Sequence, residues 1–148
     1  MALEHKMYAN FTASVDELNQ YAVDNLGYEI AGDYHIDELV GEGYVLTITQ
    51  ASTLRKEIIQ EDFNFDVNLS FYIRYDKFYK GDSFGHVAFS LTFLMSDFEG
   101  DLVYLIGDGS IPALLRKNGI YYLDKKSGQM WSSRFDELNI PYELTLLL

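Results

Sequence analysis

From Val67 the chain alternates: Val67, Leu69, Phe71, Ile73 and Tyr75 are apolar or aromatic, and Asn68, Ser70, Tyr72, Arg74 and Asp76 stand between them. A period of two predicts a strand with one buried face and one polar face. The same reasoning places a first strand over His5–Phe11, with Met7, Ala9 and Phe11 sharing a face. Between these strands, "SVDELNQYAVDNLG" carries the grammar of a helix. Ser14 and Glu17 form a capping box, and Asp16 and Glu17 sit at the positive end of the helix dipole. Val15, Leu18, Ala22 and Leu26 make its inward stripe with Tyr21 beside it, and Gly27 closes it as a left-handed residue.

An acidic connector follows over residues 28–44, with little periodicity and several glycines. "YVLTITQAS" then reads as a strand rich in β-formers. "TLRKEIIQEDF" reads as a short helix with Leu54 and Ile58 on its inner side. The most apolar helix is "SFGHVAFSLTFLMSDF". Its stripe is Phe84, Val87, Ala88, Leu91, Leu94, Met95 and Phe98, and the flanking Phe89 and Phe93 predict deep burial. The last third gives three strands broken by Gly107–Ser110 and by Asn118-Gly119, a strong two-residue hairpin signal. Pro112 places the start of its strand there, or an edge. One helical turn and an apolar tail end the chain. This order predicts a single α+β domain over residues 1–148: a mostly antiparallel sheet with helices packed on one face, a C-terminal three-stranded meander, and a second face left partly open.

Charge changes what that open face can be for. The chain has 23 acidic and 11 basic residues, a net of −12. Residues 1–68 hold 13 carboxylates against 3 cations, and residues 69–148 are nearly balanced. A nucleic-acid ligand needs the opposite sign, and an anionic membrane is disfavoured for the same reason. A basic protein is the natural complement, against the plainer reading of a surface kept soluble by charge. Cysteine is absent, which removes disulfides and thiolate chemistry. The opening "MALEHKMYANF" lacks the apolar core of a signal peptide, and no stretch approaches the ~20 apolar residues of a membrane helix. A cytoplasmic protein is expected.

Catalytic signatures are missing. "GDGSIP" lacks the framing of a nucleophile elbow, and no Walker loop is present. His5, His35 and His86 have no metal-ligand spacing between them, and His86 reads as a satisfied or surface-tipped histidine on a buried helix. Asp33, His35 and Asp37 alternate and could share a face toward a divalent ion, but a solvated acidic loop is the better account. Adjacent carboxylates such as Asp37 and Glu38 point apart on a strand, which is poor geometry for shared acid–base work. No enzyme, cofactor or metal is expected. What remains is recognition: Tyr28, Tyr34 and Tyr44 stand among carboxylates and Tyr72 lies on an outward strand face. Tyrosine is suited to interfaces because it buries area while keeping a polar tip.

The opening "MALEHKMYANF", the unit "LRKEIIQEDFNFDVNLSFYIRYDKF", the segment "GDLVYLIGDGSIPALLRKNGIYYLD", Trp131 and "IPYEL" resemble the Sit-type immunity proteins of bacterial polymorphic-toxin and contact-dependent growth inhibition systems. The family pattern falls on Glu61, Phe63, Asn64 and Phe65, then Arg74, Asp76 and Lys77, then Gly100 and Asp101, then Arg116. Asn64 stands where the family has Gly, a replacement that a left-handed backbone tolerates. The resemblance implies a protein that binds a cognate toxin C-terminal domain 1:1 and neutralises it, many such toxins being basic nucleases. Its expected contact residues are Asp33, Tyr34, Asp37, Glu38 and Glu42 in the connector, with Glu61, Asp62 and Tyr72 at the rim. The alternative is a small-molecule-binding or enzymatic domain with an aromatic pocket between helix 83–98 and the sheet, which could include His86.

Overall fold

The computed structural model describes residues 3–31 and 38–147. Along the chain these form β1 (Glu4–Ala9), α1 (Val15–Leu26), β2 (Glu29–Ala31), β3 (Glu38–Val40), β4 (Tyr44–Gln50), α2 (Thr53–Phe63) and β5 (Leu69–Tyr75). There follow α3 (Ser83–Asp97), β6 (Leu102–Ile106), β7 (Ile111–Lys117), β8 (Ile120–Asp124), α4 (Gln129–Glu137) and β9 (Glu143–Thr145). The described strands make one sheet in the order β2-β3-β4-β5-β1-β6-β7-β8-β9. All neighbours are antiparallel except β8 and β9. The fold is α+β, as the element order predicts.

Local chemistry accounts for the element ends. Ser14 Oγ accepts from the Glu17 amide at 3.1 Å, completing the capping box, and Gly27 closes α1 at φ 77°. Asn64 ends α2 at φ 59°, so it does occupy the left-handed position that its amide side chain tolerates. Asn118 and Gly119 both have positive φ, as a type I′ hairpin turn between β7 and β8 requires. Pro112 lies in an interior strand, where its missing N–H is absorbed by a bulge opposite Tyr104 and Leu105.

The inner face of the sheet forms the main core. Leu69, Phe71, Ile73 and Tyr75 meet Met7, Ala9, Leu46, Ile48 and Tyr104 there, beneath α1, α3 and α4. The opening alternation therefore holds from Leu69 onward. Val67 is buried too, but in a second, smaller cluster with Tyr8, Ile59, Phe65, Val103 and Leu105, where α2 packs. The crossover is at Asn68, whose side chain bonds the Phe11 amide at 3.1 Å and the Phe11 carbonyl at 2.6 Å.

Several expectations are corrected. The described parts of the connector are not irregular: β3 pairs with β4 and β2 pairs with β3, extending the sheet, and three-residue strands are too short to announce themselves by side-chain period. In α2 the buried residue is Ile59, and Leu54 is 62% exposed. The C-terminal region holds a nine-residue helix and a strand, where one turn and a tail were expected. Phe89 and Phe93 are about two-fifths exposed, because α3 meets the sheet through only its Val87, Leu91, Leu94 and Met95 side. Phe89 and Phe93 instead stack edge-to-face at 4.9 Å, with the Arg134 guanidinium 5.0 Å from the Phe89 ring.

Candidate functional site

Face-sharing follows from register. Because Glu38 pairs with Thr47, Thr47 with Tyr72, and Tyr72 with Lys6, these four side chains form one row across β3, β4, β5 and β1. The next row runs Thr49, Ser70, Tyr8. Both rows lie on the face opposite the main core. They floor a concave groove of about 520 Å³, and Arg55, from the first turn of α2, joins its lining. Arg74 lines it one row further along β5.

The groove is polar and unevenly charged. Lys6, Arg55 and Arg74 line it together with Glu38. Among the described residues the sole ion pair within 4.0 Å is Arg134–Glu137, on α4, so none of the three cations is neutralised by direct pairing with a described carboxylate. Lys6 Nζ sits 5.6 Å from the centre of the Tyr72 ring. The neighbouring Glu4 carboxylate holds the Tyr72 hydroxyl above its usual pKa, with burial and the Asp108 charge adding to the shift and the Arg74 charge opposing it. Tyr8 is 4% exposed. Burial raises its pKa while the Arg55 charge acts the other way. A second cavity, of about 470 Å³, adjoins the groove through Tyr8 and Arg55 and is bordered by Asp62 and Leu147.

The expected contact residues are only partly brought together. Glu38 and Tyr72 share the groove, and Asp62 borders the neighbouring cavity. Glu61 is exposed on α2, and Glu42 is exposed in the turn between β3 and β4. Asp33, Tyr34 and Asp37, together with the alternating Asp33-His35-Asp37 set, lie outside the described residues. No group of three or more potential metal ligands occurs among the described residues.

Two of the interface tyrosines belong to the core. Tyr28 and Tyr44 are each 3% exposed, and their hydroxyls bond to one another. Tyr44 Oη also lies 2.8 Å from His86 Nδ1, which makes His86 the satisfied histidine expected. Burial drives the Tyr28 and Tyr44 pKa values upward, which keeps these hydroxyls neutral. A second buried network joins His5 Nδ1 to Tyr104 Oη at 2.7 Å and to Tyr75 Oη at 3.1 Å. Desolvation lowers the His5 pKa to about 4. The space expected to hold an aromatic pocket under α3 is filled: Val87, Ala88, Leu91, Leu94 and Met95 are each at most 1% exposed.

The motif residues that carry the family resemblance have structural tasks. Arg116 donates from Nη2 to the Phe98 carbonyl and from Nε to the Gly100 carbonyl, both at 2.7 Å, and also bonds the Met95 carbonyl. It thereby closes the C-terminal end of α3, where unpaired carbonyls and the negative end of the dipole favour a cation. Asp101 Oδ1 accepts from the Asn118 amide at 2.9 Å and braces the hairpin.

Sequence reasoning missed Lys6, Tyr8, Arg55, Thr47 and Thr49 as groove residues. The signal was present in part: the alternation that buries Met7 and Ala9 must send Lys6 and Tyr8 to the other face. Which strands lie side by side, and that α2 overhangs them, is not a local property. No protein-family model matches the chain, and no match to a curated protein or a solved structure was found.

Proposed function

We propose that this chain is a non-catalytic binding protein of the immunity type, which occludes a basic toxin domain with an acidic surface bordering its open sheet face. The observation that carries the reading is the state of its carboxylates. Glu42, Glu57, Glu61 and Asp62 are exposed, Glu29 is exposed on the edge strand β2, and none is in an ion pair with a described residue. An acidic surface without internal cations to satisfy it is a surface whose electrostatic complement lies in another molecule. These residues come from β2, the β3–β4 turn and α2, elements that flank the uncovered face. The resemblance to immunity proteins supports the same role, and no helix of the described residues is long and apolar enough to cross a membrane.

Exposed charge would supply chiefly association rate and selectivity, with affinity coming from a desolvated centre. The test is co-expression with the product of the adjacent reading frame, then gel filtration at low and high salt. A 1:1 complex that abolishes the neighbour's toxicity, and whose association slows as salt rises, is the expected result. Replacing Asp33 and Asp37 by Asn and Glu38 and Glu42 by Gln together should slow association at least tenfold at low salt without lowering the thermal midpoint. A chain that stays alone beside an unaffected neighbour overturns the role. A quadruple variant that associates at the wild-type rate moves the contact away from the connector.

A further inference from the structure

We infer that the groove on the open sheet face is a binding site for a small phosphorylated organic anion of about nucleotide size. The first argument is where the positive charge lies. Residues 1–68 contain three cations, and two of them, Lys6 and Arg55, line this groove together with Arg74. They arrive from three separate elements, β1, α2 and β5, so no local sequence pattern forces them together. In a chain of net charge −12, the departure is that three cations from separate elements gather in one groove, and none of them is paired within 4.0 Å with a described carboxylate.

The second argument is the layout along the row. Lys6 and Glu38 occupy its two ends, with Tyr72 and Thr47 between. Three strand spacings of about 4.8 Å separate those ends by roughly 14 Å. Arg55 enters from the first turn of α2 and lines the groove together with Tyr8. Guanidinium groups suit the geometry of phosphate oxygens, and two of the three cations are arginines. Tyr72 adds a hydroxyl and ring surface, and a carboxylate at the far end suits a ligand hydroxyl or amine. Glu4, opposite Arg74 in register, limits how much negative charge can sit at that edge. The volume of about 520 Å³ is within the usual 300–1,000 Å³ range of small-ligand sites.

This site needs no protein partner, so it is tested on the chain alone and stands or falls separately from the immunity role. The full chain is titrated by two-dimensional amide NMR, in buffer free of phosphate, with inorganic phosphate, AMP and adenosine. The expected result is saturable shifts at residues 6, 8, 47, 49, 55, 70, 72 and 74, with AMP saturating at lower concentration than inorganic phosphate and adenosine without effect. The double variant Arg55→Gln, Arg74→Gln should weaken AMP binding at least tenfold. Both arginines are exposed, and its thermal midpoint should match the wild type. The charge-matched control Lys125→Gln, Lys126→Gln should bind AMP like the wild type. Absence of saturation by about 10 mM of either anion overturns the assignment. So does equal weakening in the two double variants, which would reduce the effect to general charge.

Discussion

His5 connects sequence, core and pH in a way that a single substitution exposes. The residue is 4% exposed, stacks on Phe84, and has its Nδ1 beside the hydroxyls of Tyr104 and Tyr75. With its proton on Nε2, the neutral imidazole accepts from these hydroxyls at Nδ1, whereas a protonated ring would place a charge in the core and lose that acceptor. Burial accordingly lowers its pKa from 6.5 to about 4. The unfolded chain takes up this proton near pH 6.5 and the folded chain resists until about pH 4, so between those values the unfolded state binds more protons. Stability must fall as pH drops through that window, remain complete above it and level off below. At 1.36 kcal/mol per pH unit the full loss is about 3 kcal/mol, an upper figure because local opening relieves it. Asp124 does not obscure the effect: backbone N–H groups, that of Leu147 foremost, hold its pKa near 2, so its contribution is lost only at lower pH. The assay is urea unfolding at pH 7, 6, 5 and 4.5, followed through the fluorescence of Trp131, the sole tryptophan and fully buried. His5→Gln keeps an amide able to bond the tyrosines but cannot titrate. Its stability at pH 7 should drop by about 1–2 kcal/mol, and its decline from pH 6.5 to 4.5 should be much shallower than the wild type's. A variant that declines as steeply as the wild type would refute the assignment of this proton to His5.

Gly100 and Arg116 lead to two further expectations. A Cβ at Gly100 would lie 1.6 Å from the Asn10 carbonyl oxygen, in a backbone at φ +136°. Gly100→Ala should therefore lose about 4 kcal/mol or more, seen as failure to fold or a large drop in urea midpoint. Arg116→Met preserves bulk but strips the donors from the carbonyls of Met95, Phe98 and Gly100. It should lose about 3 kcal/mol, with faster amide exchange in the last turn of α3; an unchanged exchange pattern would count against the capping role.

What the sequence determined by itself was whatever depends on neighbours along the chain. The caps at Ser14, Gly27 and Asn64, the Asn118-Gly119 turn and the buried side of β5 are each set by a few consecutive residues, because backbone dihedrals and side-chain direction are local. The acidic bias of the first half was legible in the same way. Tertiary structure decided the rest. β1 lies between β5 and β6 instead of beside its sequence neighbours, and that insertion alone puts Lys6 next to Tyr72. Tyr28 and Tyr44 looked like interface residues until packing buried them, bonded to each other and, through Tyr44, to His86. Phe89 and Phe93 looked like core until α3 turned only one side toward the sheet. The groove depends most on the long range. Its three cations stand 49 and 19 residues apart in the chain and meet only because antiparallel pairing and the overhang of α2 bring their side chains to one face.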